Sequence, residues 1–360
     1  MKKLFITSPR RFSGKTAVIV GLSLLLKKAG HKVGYFKPIG RKKETTTGKV
    51  LQDSDAMMMK TLLDLKNPIE DLCPVLLSRE FILQVLSKEK RKETIQKIVD
   101  TFERISADYD IMIIEGQQRN QDMAVLGLCN PVFGKFLQTK SLVITNGEEY
   151  SLLDDIFLQK EYFSLNKAEL AGVLFNNVSS HAIRTVKSEF IPVIKNQTGL
   201  KTYGIIPVES KLISPTVDDI FAIAGGSIIE ADTKEARLKL VENLLVGAMN
   251  PENAIKYFRR TVNNCLITGG DRPDLLAAAL ETKQFNVLIC TGNLYPPVTI
   301  LVKARDQNIP IILVPYDTNT TVRLLANAQG YISIENKEKI HLAQELVEKH
   351  VDWKKLIESL

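Results

Sequence analysis

Gly14, Lys15 and Thr16 are, by type and spacing, the residues of this chain best suited to chemistry. A short apolar run, Leu4 to Thr7, precedes them, and a second, Thr16 to Ala29, follows and ends at Gly30. A strand that runs into a helix at Gly-Lys-Thr has the parts of a phosphate-binding loop. Backbone N–H groups at the helix start point at phosphate, a lysine neutralises the β and γ oxygens, and a hydroxyl reaches Mg²⁺. The strict pattern is GxxxxGK[ST], and Pro9 stands where its first glycine belongs. The physics rests less on that glycine than on the three residues at the end of the loop. The alternative is a chance Gly-Lys-Thr at a helix N-terminus; the strand before it and the apolar helix after it favour a nucleotide. Arg10 and Arg11 either add phosphate contacts or are simply solvated.

Other polar residues end apolar runs. Lys37 follows His31 to Phe36, Glu115 follows Ile111 to Ile114, and Asn176 follows Gly172 to Phe175. Open α/β sheets bind ligands at the carboxyl ends of their strands. Mg²⁺ takes oxygen ligands and keeps several waters, so one or two carboxylates suffice. Thr16, Asp55 and Glu115 are therefore the candidate metal ligands. Asp55 has a second reading as a helix-capping acid, Lys37 as a surface lysine before a proline turn, and Asn176 as a turn residue rather than a reader of the base edge.

These residues need elements to position them. Further strands are expected at Ser141 to Thr145 and Thr202 to Ile206, with helical patterns between, as in Ala182 to Asn196. Strands apolar on both faces and separated by helices imply a parallel sheet covered on both sides, hence an α/β doubly wound domain. The rhythm restarts near Gly225-Gly226. Strands follow at Ser227 to Glu230, Cys265 to Thr268, Phe285 to Cys290 and Ile309 to Val314. Helices are expected at Arg272 to Glu281, capped by Asp271, at Pro297 to Asp306, and after Asp317-Thr318. The expected division is residues 1–222, a P-loop domain, and 223–360, a smaller α/β domain with the C-terminal helices.

Composition agrees with this. The chain has 360 residues, 44% hydrophobic and 25% charged, enough for two domains. Net charge is +7, but the basic runs Arg41-Lys42-Lys43 and Lys88 to Lys92 lack interleaved aromatics, so solvated faces are expected rather than a nucleic-acid partner. Cys73, Cys129, Cys265 and Cys290 form no CxxC pair, which suits buried thiols in a reducing cytoplasm. Arg10, Arg11 and Lys15 interrupt the N-terminal apolar run before it reads as a secretion signal. No apolar run approaches about twenty residues, so no membrane span is expected.

The motifs together resemble dethiobiotin synthetase-like P-loop proteins. That family's loop carries one extra residue, which places Ser8 at the first glycine position and Gly14, Lys15 and Thr16 at the last three. Lys37-Pro38 within Phe36 to Gly40 resembles the family's KP motif. Asp53-Ser54-Asp55-Ala56 resembles its DxDA segment, Glu115-Gly116 its EG motif, Gly172 to Asn177 its base-contacting strand and Asn, and Gly204-Ile205-Ile206-Pro207 its GxIP. The second unit resembles a DRTGG domain through Thr268 to Asp274, Thr291-Gly292-Asn293, Asp317-Thr318 and, upstream, Val246 to Met249. The pair resembles the N-terminal regulatory half of long phosphate acetyltransferases, with the acyl-transferring domain expected to be absent. The resemblance implies ATP or another nucleoside triphosphate with Mg²⁺, bound by Ser13, Gly14, Lys15, Thr16 and Asn176, with Lys37 and Glu115 as catalytic residues. The lysine matching Lys37 serves the phosphates and a substrate carboxylate there.

The chain also departs from that family. Gln117-Gln118-Arg119-Asn120 stands where the synthetases carry a glycine-rich stretch, so bulky polar side chains are expected to fill the substrate space. This favours a nucleotide-binding sensor or regulatory protein with at most weak ATPase activity over a ligase that activates a carboxylate. A purely structural module would not need Lys15, Asp55 and Glu115 together. Amidation of the cobyrinic acid type needs a nucleophilic cysteine and a histidine base. Neither is found: no cysteine lies in a nucleophile-like turn, and His341 and His350 lie in a polar C-terminal helix. In the second unit, Gly269-Gly270-Asp271 and Thr291-Gly292 each follow a strand. They either form an anion-friendly rim, the second unit binding a small effector or mediating self-association as a homo-oligomer in a way coupled to the nucleotide site, or only make tight turns.

Overall fold

In the computed structural model, the structure describes residues 1–41, 43–44, 50–326 and 328–360; Lys42 of the first basic run lies outside them. The chain forms two compact units. One is Met1–Val208 together with Lys337–Leu360, the other Glu209–Asn336.

The first unit is built on six strands: β1 (Lys2–Thr7), β2 (Val33–Phe36), β3 (Ile111–Glu115), β4 (Lys140–Asn146), β5 (Glu169–Val178) and β6 (Lys201–Pro207). Their order is β6-β5-β4-β1-β3-β2, and every pairing is parallel. Leu4, Phe5 and Ile6 of β1 and Ile113 and Ile114 of β3 are fully buried, as central parallel strands require. Helix α1 (Lys15–Lys28) leaves the end of the β1 loop, and α2 (Ser54–Leu63) stands beside β2. α1 stops in a glycine turn: Gly30 has φ 91° and His31 N–H returns to the Leu26 carbonyl.

α1 is apolar nearly all round, a pattern that fits a helix buried on both sides. One side faces the sheet. The other is covered by the C-terminal helix Lys337–His350, whose Ala343 and Val347 are buried. A Cβ on Gly21 would stand 2.4 Å from the Ala343 carbonyl oxygen, so the backbones approach as closely as glycine permits. Beyond that helix, Asp352 N–H donates to the Tyr203 carbonyl at 2.7 Å, and the Lys140 ammonium donates to Ser359 O at 2.6 Å. These contacts correct the expected division at residue 222. The C-terminal helices complete the first unit rather than the second. The helix Val217–Ala224 belongs to the second unit, because Val217, Ile220 and Ala224 pack on Cys265, Ile267 and Ile289.

The second unit has β7 (Ser227–Glu230), β8 (Asn243–Val246), β9 (Asn264–Gly269), β10 (Phe285–Thr291) and β11 (Ile311–Leu313), ordered β7-β11-β10-β9-β8. The sheet is mixed: β7 runs antiparallel to β11, and the other pairings are parallel. Helices Pro251–Phe258, Pro273–Thr282 and Val298–Asp306 bury Phe258, Leu275, Leu276 and Ile300 on one face. All four cysteines are buried and free. Among the described residues, no helix is long and apolar enough to cross a membrane.

Gly21→Leu should separate α1 from the C-terminal helix and cost about 1–3 kcal/mol by overpacking. Urea denaturation reads this as a lower midpoint. An unchanged midpoint would mean that Lys337–His350 does not lie on α1 in solution.

Candidate functional site

The loop between β1 and α1 is held in place from three sides. Ser8 N–H donates to Asn120 Oδ1 at 3.1 Å, and Asn130 Nδ2 donates to the same oxygen at 3.1 Å. Arg10 leans away and pairs with Asp155 at 2.7 Å. Asn176 Nδ2, from β5, donates to the Ser13 carbonyl at 2.8 Å. Gly14 has φ 78°, and a Cβ there would stand 2.1 Å from Asn176 Nδ2, so conformation and space both demand glycine. Gly14 occupies the N-cap of α1, and among the described residues no side chain caps the helix or accepts from its first amides. The Ser13 hydroxyl is buried and, among the described residues, has no hydrogen-bond partner.

Five charged residues gather beside this helix start. Lys15 is nearly buried, and its ammonium donates to the Gln118 carbonyl at 2.9 Å. The Thr16 hydroxyl donates to Glu115 Oε1 at 2.9 Å, and the Tyr35 hydroxyl donates to Glu115 Oε2 at 2.5 Å. Lys37 lies between Asp53 Oδ1 at 3.0 Å and Asp55 Oδ2 at 2.5 Å. Asp53 is fixed in turn by the amides of Asp55 and Ala56, which makes it the N-cap of α2, and by Arg41 N–H at 2.8 Å.

Burial and mutual charge set the protonation of the group. Burial pulls Lys15 down to about 8, with Glu115 opposing it. Burial also acts to lower Lys37, but Glu115, Asp55 and Asp53 overcome it and hold Lys37 well above the ordinary lysine value. Burial raises Glu115, with Lys37 working the other way. Burial, then the charge of Glu115, raises the Tyr35 phenol well above its usual value.

Ser13, Gly14, Lys15, Thr16, Lys37, Asp55, Glu115 and Asn176 thus meet at the carboxyl edge of one sheet. The cap of α2 is Asp53, which removes the capping alternative for Asp55. Sequence reasoning missed Tyr35 and the role of Asp53. Tyr35 is one apolar-looking residue inside a buried strand, whereas the Asp-x-Asp spacing did hold the signal for Asp53. Gln117 to Asn120 are each tied to their surroundings: Gln117 to Leu128, Gln118 to Arg41, Arg119 to Asp122 and Asn120 to Gln159. In the second unit, Gly269 and Thr291 are register partners at one sheet edge, and the Thr291 and Thr318 hydroxyls are 2.9 Å apart. The expected cap by Asp271 is not made. Arg272 N–H turns back to the Gly269 carbonyl, which places Arg272 at the N-cap, where its side chain pairs with Asp274 instead. Asp317 does cap its helix, accepting from Thr320 N–H at 3.0 Å.

Lys37→Met keeps the aliphatic stem but leaves Asp53 and Asp55 facing each other without their cation. The loss should be roughly 3 kcal/mol of unfolding free energy, as for other half-broken buried pairs. Urea denaturation at neutral pH measures it, and a wild-type midpoint would show that the ion pairs contribute nothing net.

An AAA domain model matches residues 2–216, and a DRTGG domain model matches residues 219–328. Phosphate acetyltransferase of Nitratidesulfovibrio vulgaris is 24% identical over 372 residues, covering 98% of this chain and 51% of that protein. Its counterpart in Pseudomonas putida is 23% identical over 364 residues, covering 97% and 50%. The chain spans about half the length of these curated relatives and is homologous to their N-terminal half. ATP-dependent dethiobiotin synthetase of Caldicellulosiruptor saccharolyticus is 30% identical over 119 residues, 32% of this chain and 48% of that protein. With its glycine-capped loop, parallel sheet and second α/β unit, the chain belongs to the AAA domain family, as a dethiobiotin synthetase-like P-loop domain followed by a DRTGG domain.

Proposed function

We propose that this chain is a nucleotide-binding sensor or regulatory protein. It holds ATP, or another nucleoside triphosphate, with Mg²⁺ at the loop from Ser8 to Thr16 and hydrolyses it at most slowly. The observation that carries this reading is the pairing of a buried Lys15 with an uncapped helix start, beside the Thr16–Glu115 hydrogen bond. Lys15 and the first amides of α1 take the phosphates, and the unpartnered Ser13 hydroxyl gains an acceptor there. Among the described residues no group of three or more His, Cys, Asp or Glu is placed to hold a metal. Mg²⁺ on a nucleotide does not need one, because phosphate and water supply most of its ligands. Thr16, with Asp55 and Glu115 near it, fits that sparse donor set. The cation supplies charge neutralisation of the phosphates.

The second reading is an ATP-dependent, carboxylate-activating ligase, favoured by the likeness to dethiobiotin synthetase over 119 residues. One contact weighs against it. Lys37, the residue such a ligase turns to phosphate and substrate, is engaged by both Asp53 and Asp55. In our reading the second unit takes a small effector at the edge formed by Gly269-Gly270 and Thr291-Gly292, and the chain works as a homo-oligomer. Effector and nucleotide then change each other's affinity by the same factor.

Calorimetric titration with ATP and GTP, with and without Mg²⁺, followed by a phosphate-release assay, tests the reading. Lys15→Ala should weaken ATP binding about tenfold or more, by loss of a charge-assisted contact. ATP affinity equal to wild type in that variant would remove the loop from the argument.

A pH effect follows as well. Free Lys15 sits at about 8, and nearby phosphates raise it, so binding near that pH takes up a proton. Affinity should fall as pH rises through about 8, and the binding heat should depend on the ionisation enthalpy of the buffer. A buffer-independent heat at that pH would contradict the assignment.

A further inference from the structure

Tyr35 stands on β2 in register with Ile113 of β3, two residues before Glu115, and is fully buried. Its hydroxyl donates to Glu115 Oε2, while Thr16, from a different element, donates to Glu115 Oε1. Each carboxylate oxygen therefore has its own hydroxyl donor. The last torsion of a glutamate is broad and weakly restrained by itself. A carboxylate tied at one oxygen can swing about that torsion; one tied at both cannot. Glu115 is itself buried, so water is poorly placed to replace a lost donor. The Thr16 hydroxyl has one hydrogen and two lone pairs. Its hydrogen is committed to Glu115, which leaves the lone pairs to serve as acceptors.

We propose that Tyr35 is a positioning residue for the cation of a bound nucleotide: it fixes Glu115 so that the carboxylate takes the hydrogen of Thr16 and leaves the lone pairs of that hydroxyl for the metal. The inference rests on the nucleotide reading and specifies how its metal locus is set. In this arrangement Glu115, besides standing in the donor set itself, sets the Thr16 hydroxyl for the cation, and Tyr35 acts through Glu115. A purely structural Tyr35 would lower stability and leave the metal dependence of binding untouched.

The test is nucleotide titration in Mg²⁺ and in EDTA for wild type, Tyr35→Phe, Glu115→Gln and the double variant, with folding checked by thermal melting. Tyr35→Phe keeps the ring and removes one hydroxyl. It should weaken binding in Mg²⁺ about tenfold and leave binding in EDTA unchanged. In the Glu115→Gln background the same substitution should have little further effect. Where Tyr35→Phe does not fold, Tyr35→Met serves, because it fills the buried space without a hydroxyl and leaves Glu115 and Thr16 unchanged. It should show the same selective loss. An unchanged ratio of Mg²⁺ to EDTA affinity in a folded variant, or a full effect of Tyr35→Phe without Glu115, overturns the proposal. Wild-type protein whose nucleotide binding ignores Mg²⁺ overturns the reading of the site itself, and this inference with it.

Discussion

The withdrawal from water of two lysines and two carboxylates, Asp53 and Glu115, beside a half-buried third, Asp55, at one end of one sheet, is the constraint on which the rest of this site depends. Charges so buried must be paired or lose their charge. Lys37 is paired twice, with Asp53 and Asp55. Among the described residues Glu115 has no lysine in hydrogen-bond contact and relies on two hydroxyl donors. Lys15 has one neutral carbonyl and the lowest lysine affinity for its proton in the cluster. The order β4-β1-β3-β2 makes this possible, because it brings the ends of β1, β2 and β3 side by side. An order without β3 between β1 and β2 would separate Thr16, Glu115 and Lys37.

Much of this was legible in the sequence, and the reason is local. Gly14-Lys15-Thr16, Lys37 and Glu115 each follow an apolar run, and a parallel sheet puts the ends of such runs on one edge. What was not legible is non-local. That Tyr35 bonds Glu115 follows from the neighbouring of β2 and β3, not from any spacing. Asp53 and Asp55 are both acids near a helix start, and only the backbone shows which accepts the amides. The place of Lys337–Leu360 was misread because the pattern of the second unit runs into those helices without a break. The clue was in α1, whose apolar outer side needed a cover.

The segment Gln117 to Asn120 shows how a departure from a family pattern acquires a physical meaning. From sequence it is four bulky polar residues in place of glycines. In the fold, its backbone matters more than its bulk. Gln117 N–H donates to Asn130 Oδ1 at 2.9 Å, Asn120 N–H donates to the Ser8 carbonyl at 2.8 Å, and the Asn120 side chain takes the Ser8 amide in return. Asn120 and Asn130 are both fully buried, so these bonds are not diluted by water. Gly116 must be glycine beside them, since a Cβ would stand 2.7 Å from Asn130 Nδ2. The segment is therefore a brace that ties the end of β3 to the loop after β1. The Gln118 carbonyl on Lys15 is a by-product of that brace, and no side-chain change at residue 118 removes it. A phosphate reaching Lys15 exchanges a neutral acceptor for a charged one, which adds ion-pair attraction to a bond already charge-assisted through the ammonium. The brace thus keeps the ammonium satisfied without a ligand, on an acceptor weaker than a phosphate of the proposed nucleotide.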